Sequence, residues 1–321
     1  MTLVLTRADL APVLTLADCL PVVEQAFRLH GTGAPPQSMG VHAAAGTFHI
    51  KTALGDAVFA AKINANFSGN PQRHGLPTIQ GVIVLIDLER GTPLAILDSA
   101  LITTLRTAAA TAVAAKYLAR EDAATIAVIG CGLQGRANLE ALQLVRPVSK
   151  AYAFDVDVEA ARTFAGELQA KLGIAVITDA PLEAAVADSD IVVTCTTARS
   201  PILDTRHVHR GVFIAGVGAD NPEKHELAPA LLRDSRVVVD ILEQAATMGD
   251  LHHAIEAGVL TREDVHGELA DVICGRVAGR TNEDEVFVFD STGTALQDVA
   301  VASVAYARAA ERGAGVEVAF G

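Results

Sequence analysis

The sequence predicts an α/β protein whose larger part is a doubly wound parallel sheet, joined to a smaller α+β region. Three observations carry that prediction. Apolar strand-like runs alternate with helical segments from about residue 120 onward, the first of those runs opens into a glycine-rich turn, and 321 residues suit two domains.

Composition narrows the function classes. Half of the residues are hydrophobic and 20% are charged, which argues against disorder. The 25 Lys and Arg against 38 Asp and Glu leave a formal charge of −13, a balance that disfavours nucleic acid and anionic membranes as partners. Cys19, Cys131, Cys195 and Cys274 have neither a disulfide-framework nor a zinc-site spacing, so no metal is expected. The opening MTLVLTRADL lacks a basic segment followed by a long apolar stretch, and no apolar run is long enough to span a bilayer, so a cytoplasmic location is expected.

Along the chain, LADCLPVVEQAFRLH has helical spacing and GTGAPP, residues 31–36, interrupts it. In FHIK, Phe48 and Ile50 alternate with His49 and Lys51. In FAAKINANF, one strand face carries Ala61, Ile63, Ala65 and Phe67, and the other carries Lys62, Asn64 and Asn66. Lys62 on that polar face is either a solvated edge-strand charge or an active-site acid or base, and Lys51 and His49 share the ambiguity. After the turn formers of SGNPQRHGLP comes a hairpin around Glu89, Arg90 and Gly91. The Ala-rich ITTLRTAAATAVAAKYLA reads as a helix capped at Thr103 or Thr104, with Arg106 in its first turns.

The runs TIAVIG, KAYAFD, IAVIT, DIVVTCT, GVFIAGVG, RVVVD and EVFVFD then read as strands of a parallel sheet covered on both faces. TIAVIG leads straight into Gly130-Cys131-Gly132-Leu133-Gln134-Gly135 and a helix. In this Rossmann-type context Gly130 permits a tight turn, Gly132 admits a pyrophosphate to the backbone, and Gly135 permits close helix–strand packing. KAYAFD ends at Asp155, where a carboxylate accepts from ribose hydroxyls and repels a 2′-phosphate, favouring NAD(H) over NADP(H).

Further candidates lie at the carboxyl ends of later strands. Thr196, which ends DIVVTCT, and Thr197 after it read as cofactor contacts or as plain loop, and Val217 near the end of GVFIAGVG reads as a cofactor contact. Asp220 in ADNPEK either faces nicotinamide or substrate, or forms an Asx turn before Pro222. His252-His253 reads as solvated helix surface, because adjacent helical residues do not share a face. The final TALQDVAVASVAYARAAERG reads as one helix with no strand after it.

Taken together, FAAKINANFSGNPQRHGLPTIQGVIVLID, ITTLRTAAATAVAAKYLA, IAVIGCGLQGRANLEAL, GVGADNPEKHEL and FDSTGTALQDVAVA resemble the ornithine cyclodeaminase/mu-crystallin family over nearly the whole chain. The resemblance implies a homodimer. It also implies a substrate and dimerisation domain, residues 1–117 and 296–321, into which a Rossmann domain, residues 118–295, is inserted. It makes Lys62 and Asp220 the catalytic pair and Arg106 the holder of the substrate carboxylate.

Two departures from the family pattern bear on the substrate. Gln37 stands where an Arg usually makes a second carboxylate contact, and His49-Ile50-Lys51-Thr52 replaces a segment that carries Glu in cyclodeaminases. Lys51 there would repel a diamino acid and hold a carboxylate. The expected activity is therefore an NAD(P)H-dependent reductase of small α-imino acids, or the reverse amino-acid dehydrogenase. The alternatives are an ornithine or lysine cyclodeaminase and a non-catalytic ligand-binding protein like mu-crystallin.

Overall fold

A computed structural model describes residues 1–30, 36–67 and 69–320. The chain divides into two compact units, Met1–Arg106 with Thr294–Gly321, and Thr107–Gly293. The division falls inside the continuous helix Ser99–Leu118, earlier than the expected boundary at the helix end. The predicted interruption at residues 31–36 lies outside the described residues save for Pro36.

Among the described residues, the first unit holds a seven-stranded sheet. Its order is Val316–Val318, Thr2–Leu5, Pro93–Asp98, Ile79–Asp87, Val58–Asn66, Gly46–Leu54 and Gln37–Ala43. The last helix, Ala295–Glu311, packs on the strands Gly46–Leu54 and Val58–Asn66 and on the helix Leu16–Leu29. A strand does follow that last helix: Val316–Val318 pairs antiparallel with Thr2–Leu5, a three-residue piece too short to show a pattern in the sequence. The helix Ser99–Leu118 starts ahead of its expected cap, because the Asp98 carboxylate accepts from the Leu101 N–H at 3.1 Å. The hydroxyl of Thr104 instead bonds back to the Ala100 carbonyl.

The alternation along this sheet is inverted relative to an ordinary half-buried strand. Register aligns Ser38, Lys51, Lys62, Ile83 and Leu97 on one face, and Lys51, Lys62, Ile83 and Leu97 are buried there. The opposite face carries Met39, Val41, Phe48, Ile63 and Val82, which are 37% to 55% exposed.

The second unit contains an eight-stranded parallel sheet. Its order is Gly267–Glu268, Arg236–Val239, Phe287–Asp290, Phe213–Gly216, Ile191–Thr194, Thr125–Ile129, Lys150–Phe154 and Ala175–Ile177. The seven predicted runs are all strands of it. The order reverses direction beside Thr125–Ile129, and ligands of such sheets bind outside the carboxyl ends of the strands next to that point.

Candidate active site

In the first unit the strand face expected to be polar is buried and carries Lys51, Lys62 and Asn64. Lys62 is 3% exposed, and its Nζ lies 2.5 Å from Asp298 Oδ2. Arg106 is also buried. Its Nε donates to Asp298 Oδ1 at 3.0 Å, and its Nη1 donates to Gln297 Oε1 at 2.9 Å. One buried carboxylate thus joins the two predicted cations. Lys51, directly opposite Lys62 in register, adds a third cation to the same face.

Electrostatics follow from that count. Burial pushes the Lys62 ammonium down to about 7; Asp298 opposes the shift, while Arg106 and Lys51 reinforce it. Burial alone would raise the Asp298 carboxyl, but Lys62 and Arg106 outweigh it and hold the group below its ordinary range. A lysine poised near neutrality can both give and take a proton at physiological pH. Next to these groups, Ser99 Oγ donates to Asn64 Oδ1 at 2.6 Å, fixing the amide beside Lys62 on the strand.

Gln37 does not join this group by register. It pairs with Thr52 rather than Lys51, so it belongs to the opposite, exposed face of the sheet. Asp298 and Gln297 were absent from the expected site. Both sit in the first turn of the last helix behind the Thr294 cap, where an acid and a Gln satisfy the helix terminus and so pass as capping residues.

In the second unit the glycine-rich turn assumes the predicted geometry. Gly130 has φ +105°, and a Cβ there would lie 2.7 Å from the Cys195 carbonyl oxygen. A Cβ on Gly135 would fall 2.1 Å from the Gly130 oxygen, whereas one on Gly132 would meet open space. Gly132 caps the helix Leu133–Gln143 with no side-chain hydrogen bond, so first-turn N–H groups stay available to an anion. Leu133 is exposed and Gln134 half-buried at this mouth, and the Gln134 carbonyl accepts from Asn138 Nδ2 at 2.8 Å.

Asp155 Oδ2 accepts from the Cys131 N–H at 2.8 Å and Oδ1 from the Asp157 N–H at 3.0 Å, tying the acid to the turn. Arg136, unremarked in the sequence, bonds the Cys131 and Gly132 carbonyls and pairs with Glu167 at 2.9 Å. It thereby anchors the carbonyl side of the turn. An exposed helix start with no side-chain cap and a glycine that has room for a ligand, backed by an acid at the next strand end, fits a dinucleotide.

Around the later strand ends, Thr196 is half-buried with its hydroxyl oxygen accepting from the Ala198 N–H, Thr197 is exposed, and Val217 is buried. Asp220 pairs with Lys224 at 2.7 Å, and its own N–H bonds the Gly218 carbonyl. The Asx turn in this segment belongs to Asn221, whose Oδ1 accepts from the Glu223 and Lys224 N–H groups. His252-His253 departs from expectation. His253 stacks on His225 at 3.9 Å between ring centroids and bonds the Lys224 carbonyl, so this surface is packed against the segment that carries Asp220. Among the described residues no group of three or more His, Cys, Asp or Glu could hold a metal ion.

The model of the ornithine cyclodeaminase/mu-crystallin family matches residues 1–313. The chain is 36% identical to an alanine dehydrogenase of Archaeoglobus fulgidus, covering 99% of this chain and 98% of that one. An archaeal alanine dehydrogenase dimer with bound NAD superposes with TM-score 0.95 at 36% identity, over 100% of this chain and 99% of that one. A Δ1-pyrroline-2-carboxylate reductase of Thermococcus litoralis, in complex with NADH and L-proline, gives TM-score 0.95 at 34% identity over 99% and 100% of the two chains.

Proposed function

The chain belongs to the ornithine cyclodeaminase/mu-crystallin family, and from that premise we propose that it reduces small α-imino acids with a nicotinamide dinucleotide, or oxidises the amino acids in reverse. The observation that carries the reading is the buried Lys62–Asp298–Arg106 cluster, in which a lysine lowered to about 7 lies beside an arginine able to bind a carboxylate. A bound dinucleotide supplies the hydride. The remaining tasks fall to side chains. Arg106 holds the substrate carboxylate, Lys62 exchanges a proton with the substrate nitrogen, and Asp298 keeps the lysine charged often enough to donate.

NAD(H) is the proposed cofactor, because Asp155 stands where a 2′-phosphate would meet a carboxylate. A homodimer is supported by the exposed apolar face of Met39, Val41, Phe48, Ile63 and Val82, whose cover by a second copy would remove it from water. The reading is preferred to ornithine cyclodeamination because Lys51, in register with Lys62, places a cation where a diamino acid would bring another.

The deciding experiment supplies purified protein with NADH and a panel of cyclic and acyclic α-imino acids, and in parallel with ornithine and catalytic NAD+. Consumption of NADH with formation of the amino acid is expected. Release of ammonia and proline from ornithine, without NADH oxidation by any imino acid, would overturn the proposal in favour of cyclodeamination.

A further inference from the structure

Glu226 lies on the short strand His225–Leu227, fully buried, and its carboxylate accepts from three donors. Oε2 accepts from Thr194 Oγ1 at 2.8 Å and from the Gly218 N–H at 2.8 Å, and Oε1 accepts from the Thr196 N–H at 2.6 Å. Thr194 and Thr196 end the strand Ile191–Thr194 and begin the loop after it, while Gly218 lies in the loop after the adjacent strand Phe213–Gly216. One carboxylate therefore ties together two loops at the carboxyl edge of the sheet. The approach is as close as a glycine allows, since a Cβ on residue 218 would sit 2.4 Å from Oε2.

Glu226 is fixed from behind as well. Its own N–H and that of Leu227 donate to Asp250 Oδ1 at 2.8 and 2.9 Å, and Asp250 is itself fully buried at the start of the helix Asp250–Glu256. A buried carboxylate carries a desolvation cost that an apolar side chain of similar volume would avoid. Here that cost falls at the strand ends where a dinucleotide crosses from its adenosine half, at Gly130 and Asp155, toward its nicotinamide half.

We propose that Glu226 is a positioning residue: it holds the Thr196 and Gly218 loops in the shape that receives the nicotinamide half of the cofactor, while the adenosine half is bound without it. This rests on the dinucleotide reading above. A Gln at 226 must turn its NH2 either toward the Thr196 N–H or toward Thr194 and the Gly218 N–H, so in either orientation one loop N–H loses its acceptor.

The test compares calorimetric binding of NADH and of ADP-ribose, which lacks the nicotinamide ring, for the wild type and Glu226→Gln. Glu226→Gln is expected to weaken NADH at least tenfold, to leave ADP-ribose within twofold, and to raise KM for NADH more than it lowers kcat. Gly218→Ala, which displaces the same carboxylate through its Cβ, should repeat the pattern and serves if Glu226→Gln does not fold. Equal losses for both ligands, or no loss for NADH, would overturn the proposal. Failure of the wild type to bind either ligand would instead overturn the dinucleotide reading.

Discussion

The two units each bury charged side chains, and they settle that charge in opposite ways. In the first, Lys62, Lys51 and Arg106 are buried, and the buried Asp298 carboxylate pairs with Lys62 and Arg106. In the second, Glu226, Asp240, Asp250 and Asp290 are buried with backbone N–H groups among their donors, at Thr196, Gly218, Gly293, Leu227 and Leu251. Burial raises Glu226, Asp250 and Asp290, and for Asp250 and Asp290 repulsion from neighbouring carboxylates acts in the same direction. Burial together with the neighbouring cations Arg106 and Lys51 brings one lysine near neutrality. An excess of acids bonded to backbone instead fixes loops. In the proposed reading the first arrangement does chemistry, and the second holds the frame that receives a cofactor.

That contrast can be broken experimentally, beginning with the largest effect. Lys62→Ala should lower turnover by at least about 10²-fold, with NADH affinity unchanged by calorimetry. Loss of cofactor binding in step with turnover would mean that the two clusters are not functionally separate. Arg106→Leu should raise KM for the imino acid by about 10- to 150-fold, the worth of roughly 1.5–3 kcal/mol in charged hydrogen bonds. Steady-state kinetics at fixed NADH checks it.

The glycine turn gives a finer comparison. Gly135→Ala drives a Cβ onto the Gly130 oxygen at 2.1 Å, so thermal melting should show a loss of about 1–3 kcal/mol or more. Gly132→Ala meets open space and should melt like the wild type while binding NADH more weakly. The smallest effect is a shift of pH profile. Asp298 favours the charged form of Lys62, so Asp298→Asn should move the limb of the rate profile near pH 7 to lower pH. A limb that moves upward or stays would assign it to another group.

How far these features were legible depends on what each residue must also do locally. The seven parallel strands were readable because burial on both faces leaves continuous apolar runs. Gln37–Ala43 was not, since QSMGVHA is exposed throughout and its alternation of Met39, Val41 and Ala43 with Ser38, Gly40 and His42 runs over only three small or medium apolar residues next to a turn-forming tract. Lys62 was singled out by its place in a strand, but its face was taken as polar and is in fact buried, because Ile63 and its row point outward. Asp298 and Glu226 escaped notice for a shared reason. An acid in a first helical turn or after a turn-rich loop has an ordinary local explanation, and only the tertiary contacts of Arg106, Thr196 and Gly218 assign it another task.

The central claim is that the first unit buries a lysine whose proton is exchangeable near neutrality. It is measured directly by titrating protein labelled with 15N at lysine Nζ, followed by NMR, in the wild type and in Lys62→Met. The account predicts one lysine signal with a midpoint near 7 that is missing from the variant. Lysine signals that all titrate near the ordinary value of about 10.4, Lys62 included, would contradict it.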